Sequence, residues 1–234
     1  MTPEKTYHIY THANGSENLF RTGENYRYFL KRYETFTAGV VDTLVWCLMP
    51  NHLHLLVRVK SEAELKELFK NKIETDQTGL EVERKEDLSG LDNKTEIKRS
   101  NQTDFKVESN RNQFGLNEVE RLTILQFSHL FNAYTKAYNK VYKRRGSLFI
   151  RAFKRKEITS DNYFTKVIHY IHTNPIKHGF TKSITEWPWS SYHQFLLPEL
   201  TGTQQEVIGW FGGQQPFIEF HQQLPQSTQE FDMP

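Results

Sequence analysis

The sequence predicts an α+β fold, a ferredoxin-like sandwich in which an antiparallel sheet of four to five strands carries packed helices. Two observations lead there. Four stretches alternate or run apolar in the manner of strands, and segments of helical periodicity separate them. Their order is strand, helix, strand, strand, helix, helix, strand, helix, which departs from the strict alternation of a doubly wound parallel sheet.

Residues Tyr7 to His12 mix ring and polar side chains and end at the loop signal Ala13-Asn14-Gly15-Ser16. Asn25 to Thr37 carries Tyr26, Phe29, Leu30 and Tyr33 at spacings of three and four, with Arg27, Lys31 and Arg32 outward, the pattern of an amphipathic helix. Leu44 to Met49 is apolar, Pro50-Asn51 breaks it, and His52 to Lys60 resumes with alternation, so the pair reads as a hairpin. Ser61 and Glu64 form a capping-box pattern ahead of Leu65, Leu68 and Phe69.

From about 75 to 117 the chain becomes polar and charged and reads as a peripheral insertion. Leu122 to Tyr142 then has helical spacing and closes at Gly146 behind Lys143, Arg144 and Arg145. Ser147 to Ile158 alternates as a strand. A helix capped by Ser160-Asp161 follows to about Asn174, with a short turn or helix from Pro175 to Gly179. Trp187, Trp189 and Tyr192 read as a structural clasp, and the Gln-rich tail holds enough rings for part of it to dock.

Composition narrows the function classes. A chain of 234 residues with 37% hydrophobic residues can bury one core. The single cysteine, Cys47, excludes an intrachain disulfide, and within LVWCLM it reads as a small buried hydrophobe. No stretch is long enough and apolar enough for a membrane span and the start lacks a leader's apolar region, so no membrane partner and a cytoplasmic location are expected. Net charge is only +2, but nine basic and no acidic residues lie between Lys136 and Lys156, interleaved with Tyr138, Tyr142, Phe149 and Phe153. Cations and rings together suit single-stranded nucleic acid, with the rings as stacking platforms.

Alternation places His52, His54, Leu56, Arg58 and Lys60 on one face of their strand and Leu53, Leu55, Val57 and Val59 on the other, one face core and the other a site. Two imidazoles two residues apart on a strand can share a divalent cation. On the helix after Ser160, Tyr163, Val167, Tyr170 and Asn174 form one stripe. A phenol transfers phosphoryl groups at neutral pH only if the site polarises the phosphate, which a cation on His52 and His54 would do, with the Asn174 amide oxygen completing the ligands. His8 and His12 share a face of the first strand, where they could approach the metal site, although half-buried polar residues are the favoured reading. Tyr163 is the second candidate nucleophile, and His169 and His172 read as solvent or packing residues.

The strings CLMPNHLHLLVRV, YKRRGSLF, YIHTNPIKHGF and WPWSSY, in that order, resemble the REP-associated tyrosine transposases and their single-strand insertion-sequence relatives, the HUH single-tyrosine class. The resemblance runs from about Tyr7 to Leu197 apart from the insertion. It implies one HUH-type domain over 1–197 and a partly docked tail over 198–234. His52 and His54 would bind Mg²⁺ or Mn²⁺ with Asn174, where insertion-sequence members more often carry Gln, and Tyr170 would be the nucleophile. The implied activity is metal-dependent cleavage and transfer of single-stranded DNA near a hairpin through a 5′-phosphotyrosine, without ATP, in a bacterial, nucleoid-associated protein. Lys143, Arg144, Arg145, Arg151, Lys154, Arg155 and Lys156 are the expected DNA contacts. A homodimer stays open, as do two rival readings: a non-catalytic nucleic-acid-binding module on the same fold, and a hydrolytic, replication-type HUH nuclease.

Overall fold

A computed structural model describes residues 1–78, 117–150 and 153–223. Its sheet has strands β1 (Thr6–His12), β2 (Val41–Met49), β3 (His52–Val59) and β4 (Lys154–Ile158), all antiparallel, in the order β2-β3-β1-β4. Helix α1 (Gly23–Thr37) joins β1 to β2, and α2 (Glu62–Thr78) and α3 (Glu118–Val141) precede β4. Helices α4 (Asp161–Lys177), α5 (Gly202–Gly209) and α6 (Gln214–Gln222) follow. The α+β class and the element order are those the sequence predicts. The middle of the expected insertion, residues 79–116, and Arg151 lie outside the described residues. Among the described residues no helix is long and apolar enough to cross a membrane.

Two helical layers sandwich the sheet. On one face Ile9, Leu53, Leu55 and Val57 pack against Phe29 of α1 and Phe127, Leu130 and Tyr134 of α3. On the other, Val45, Cys47, Met49 and Leu56 meet Val167, Ile168 and Ile171 of α4, with Val207 of α5 and Phe217 of α6 completing the layer. The face expected to carry the site is also covered, because a second apolar stripe on α4 needs burial as much as the sheet does.

Three local differences from the sequence expectation have simple causes. The strand expected from Ser147 pairs regularly only from Lys154, while Phe149 makes an isolated bridge to Ala13. Helix α4 runs through Pro175 to Lys177: the proline forfeits its N–H bond and crowds the Ile171 carbonyl, but it stands in the last turn, which a Schellman motif closes. In that motif Phe180 N–H donates to the Pro175 carbonyl at 2.9 Å and Gly179 adopts φ +71°, a left-handed conformation that costs glycine little. Finally, the WPWSSY segment lies along the outer edge of β2: Leu48 N–H donates to the Trp189 carbonyl at 2.9 Å and Trp187 Nε1–H to the Leu48 carbonyl at 3.0 Å. Trp189 also stacks on Tyr26 at 4.4 Å, so the clasp covers an edge that would otherwise pair with another chain.

The basic, ring-bearing run is largely structural at its start. Tyr138 and Phe149 are buried, and the Tyr138 hydroxyl donates to the Asn18 carbonyl at 2.6 Å. Phe153 packs on Phe127 and Phe131. Tyr138 and Phe149 are therefore core residues, with Phe153 partly buried against the core. Arg144, expected to contact DNA, holds the end of α3 to the β1–α1 loop: Nε donates to Glu17 at 2.9 Å, Nη1 to Asn139 at 3.1 Å, and Nη2 to the Ser147 carbonyl at 2.8 Å. Arg144→Ala is expected to lower stability to urea by about 1.5–3 kcal/mol, the range for hydrogen bonds to a charged group. Arg145→Ala, at an exposed neighbour, is expected to change it by less than about 0.5 kcal/mol.

Candidate active site

The register of β1 against β3 pairs His12 with His52 and Tyr10 with His54, so their side chains, with that of His8, share the sheet face beneath α4. The rings meet closely. His12 stacks on His52 at 4.7 Å, His52 and His54 lie 5.3 Å apart edge to face, and His8 Nε2 is 2.9 Å from His54 Nδ1. From α4, Tyr170 stands edge-on to His54 with ring centroids 5.4 Å apart. One turn later Asn174 Oδ1 lies 3.1 Å from His52 Nε2. His178, at the next turn of the same stripe, packs against His52 at 4.6 Å. Lys177 Nζ lies 5.5 Å from the Tyr170 ring centre.

His8, His52, His54 and Asn174 are all buried. Desolvation disfavours the imidazolium and drives His52 down to about 4 and His8 to about 3, with Lys156 adding to the effect on His8. His54 is held well below its usual range by the same burial and by its imidazole neighbours. All three rings are neutral at physiological pH and each keeps one lone pair.

Neighbours indicate where those lone pairs point. Asn51 Oδ1, which can only accept, is 2.8 Å from His52 Nδ1 and therefore takes its proton. Nε2 of the neutral ring then presents a lone pair to Asn174 Oδ1, two acceptors face to face, while Asn174 Nδ2 is buried without a hydrogen-bond partner. Turning the amide over lets Nδ2 donate but strands Oδ1 instead. His54 Nδ1 meets His8 Nε2, and its Nε2 is unprotonated in the tautomer where Nδ1–H donates to His8; His8 Nδ1 is buried without a partner. Donation of the second ring nitrogen to a fixed acceptor is how metal-binding histidines are oriented. Among the described residues no group of three or more His, Cys, Asp or Glu side chains is arranged to hold a metal ion. The available donors are two imidazoles and one amide.

The structure thus brings His52, His54, Tyr170 and Asn174 together, and adds neighbours the sequence reading undervalued or passed over. His8, read as half-buried, is fully buried on His54, which counting the β1–β3 register would have revealed. Asn51 sat in the hairpin turn as a breaker, and His178 lay beyond the expected helix end. Tyr163 sits two turns from Tyr170, its ring 4.9 Å from Lys156 Nζ. The basic residues of β4 divide by strand alternation. Lys154 and Lys156 lie opposite Tyr10 and His8 on the site face, whereas Arg155 pairs with Ile9 and belongs to the other. Lys143 and Arg145 are exposed at the end of α3.

A central His-x-His strand under a helix bearing a tyrosine and, one turn on, an amide is the arrangement implied by the resemblance to the HUH single-tyrosine class. The comparisons agree at the level of fold and family likeness. No family model matches the chain. A REP-associated tyrosine transposase of Haemophilus influenzae is 31% identical over 62 residues, a match that covers 26% of this chain and only 35% of that protein's length. A solved structure of a REP-associated tyrosine transposase bound to a REP hairpin superposes with a TM-score of 0.52, covering 87% of this chain and 86% of that one at 13% identity. The chain resembles the REP-associated tyrosine transposases in sequence and shares their fold.

Burial of neutral imidazoles has a measurable consequence. The four buried rings His8, His54, His172 and His221 bind protons in the unfolded chain below about pH 6.5 but not in the folded one. Stability is therefore full above that pH and is lost as pH falls. By pH 5.5 each ring costs about 1.4 kcal/mol. Urea denaturation in EDTA at pH 7.5 and 5.5 is expected to show the drop, and His221→Asn to reduce the difference by one ring's share.

Proposed function

We propose that the chain is a metal-dependent single-stranded DNA endonuclease and strand transferase, transposase-like, that cleaves beside a DNA hairpin through Tyr170. One observation carries the reading: a single helix presents Tyr170 to His54 and, one turn on, Asn174 Oδ1 to the His52 lone pair at 3.1 Å. That separation is about what two ligands at right angles adopt on a cation with bonds of about 2.1 Å, which supports Mg²⁺ or Mn²⁺ held by His52, His54 and Asn174. Such a cation would supply Lewis-acid stabilisation of charge on a nonbridging phosphate oxygen.

The chain's own residues supply the rest. Tyr170 Oη bonds to phosphorus as the bond to O3′ breaks, and the phenol proton ends on the departing 3′-hydroxyl. The fragment that begins with the 5′-phosphate stays on the enzyme as phosphotyrosine, and the fragment ending in the 3′-hydroxyl leaves. A second 3′-hydroxyl reverses the step and returns a proton to Tyr170, and because one phosphoester replaces another no ATP is consumed. Lys154 and Lys156 beside the site, with exposed Lys143 and Arg145, are the phosphate contacts, and the bound hairpin of the structural relative supports a hairpin as partner.

With labelled hairpin-bearing single strands and Mn²⁺, the wild type is expected to give a covalent protein–DNA band that survives denaturation, and Tyr170→Phe or EDTA to abolish it. Binding with no band under any metal would favour the non-catalytic module, and cleavage without a rejoined product the hydrolytic nuclease. Lys154→Ala and Lys156→Ala are each expected to weaken binding and to lower the salt dependence of affinity by about one phosphate contact.

A further inference from the structure

Behind the helix that carries Tyr170 lies a second polar cluster, which the proposed chemistry leaves unused. His172 is fully buried on α4, with Nδ1 3.1 Å from His221 Nε2 and Nε2 2.9 Å from Ser191 Oγ. His221 Nδ1 is 2.8 Å from the Phe217 carbonyl, and Trp46 N–H donates to Ser191 Oγ at 2.9 Å. Hydrogen-bond polarity then runs one way. The Phe217 carbonyl can only accept, so His221 carries its proton on Nδ1 and accepts at Nε2. His172 must therefore donate from Nδ1 and present its Nε2 lone pair to the Ser191 hydroxyl at 2.9 Å, a hydroxyl that also lies 3.2 Å from the Trp46 carbonyl. Each ring nitrogen is used once, and the chain of bonds ties β2, the WPWSSY segment, α4 and α6 together.

We infer that this buried chain is a positioning device that sets the rotation of α4 and so aims Tyr170 and Asn174 at His54 and His52. The inference rests on the strand-transfer reading. At about 100° per residue His172 lies about 200° from both Tyr170 and Asn174, directly behind the working face. The apolar contacts of Val167, Ile168 and Ile171 bury area without fixing angle, whereas hydrogen bonds are directional. A rotation of about 10° moves a hydroxyl about 8 Å from the helix axis by about 1.4 Å, and an ångström of misplacement can cost about a hundredfold in rate. Three apolar side chains would fill the same space without the desolvation cost of two imidazoles and a hydroxyl. What the polar set adds is a defined angle.

The test compares Ser191→Ala, His221→Phe and His221→Gln with wild type on hairpin-bearing strands in Mn²⁺. It measures the rate of covalent adduct at saturating DNA, DNA affinity and melting temperature. Ser191→Ala and His221→Phe are expected to slow adduct formation tenfold or more, with affinity within twofold and melting above the assay temperature. His221→Gln, whose side-chain oxygen can accept from His172, is expected to recover the rate to within threefold. Adduct rates equal to wild type in folded variants overturn the positioning role and leave the strand-transfer reading intact, as does a folded His221→Gln as slow as His221→Phe. If His221→Phe does not fold, Ser191→Ala, which removes one oxygen, decides alone. Absence of adduct from the wild type itself overturns both.

Discussion

The site depends on one constraint, the register of β1 against β3. Pairing of Tyr10 with His54 and His12 with His52 brings residues from two distant parts of the chain onto one sheet face. A slip by one residue would turn every one of them to the opposite face. The apolar layer prevents that slip, since Ile9, Leu53, Leu55 and Val57 are fully buried against α1 and α3 and would have to exchange places with imidazoles. The hairpin turn adds a local lock, with Ala13 N–H donating to the Asn51 carbonyl at 2.7 Å and Phe20 N–H to that of Pro50 at 3.1 Å. The residues that stabilise the fold are therefore those that align the site, although of them only Asn51 touches it.

Roofing by α4 follows from the same register and decides the chemistry available. An imidazole open to water near neutral pH is partly protonated and unavailable as a donor to a cation. Beneath the helix it is neutral over the physiological range, and its tautomer is fixed by whichever acceptor can reach Nδ1. For His52 that acceptor is Asn51, held in the turn, while His54 Nδ1 shares one hydrogen bond with His8 Nε2, one strand across. The buried amide of Asn174 is only half used as the chain stands, since one of its two polar atoms lacks a partner. A bond between oxygen and a cation would settle the clash of acceptors at His52.

Much of the architecture was legible because it rests on periodicity. Period-two alternation in β3 and three-and-four spacing in α1, α3 and α4 report which side chains share a face, and they bring His52 with His54 and Tyr170 with Asn174. What escaped was what lies between elements. That Asn51 orients His52 and that His172 bonds through Ser191 to β2 are consequences of docking, which a linear pattern does not contain. The structural share of the basic run was hidden for a related reason. A guanidinium in sequence looks the same whether solvated or folded back onto carbonyls, and Arg144 makes its bonds to Glu17, far along the chain. The helix through Pro175 was hidden because the motif that closes it depends on Gly179, beyond the point where a proline signals an ending.

Charge on the site face is uneven, and the unevenness matters more than the net value of +2. At one end Arg58 is paired with Glu206 at 2.6 Å and Asp42 at 3.5 Å, and Lys60 with Asp42 at 3.2 Å, so little positive field leaves that end. Across the sheet, Lys154 and Lys156 on the outer strand have no carboxylate partner among the described residues and lean over the rings of Tyr10 and Tyr163. At physiological ionic strength charges farther off than about 8 Å are largely screened, so an incoming polyanion senses this local imbalance and little else. On the proposed function such a polyanion would be drawn to the β4 edge, beside the stripe of α4 that leads from Tyr163 to Tyr170. The alternation that turns Arg155 away keeps the two lysines on the face where a phosphate held near Tyr170 would need them.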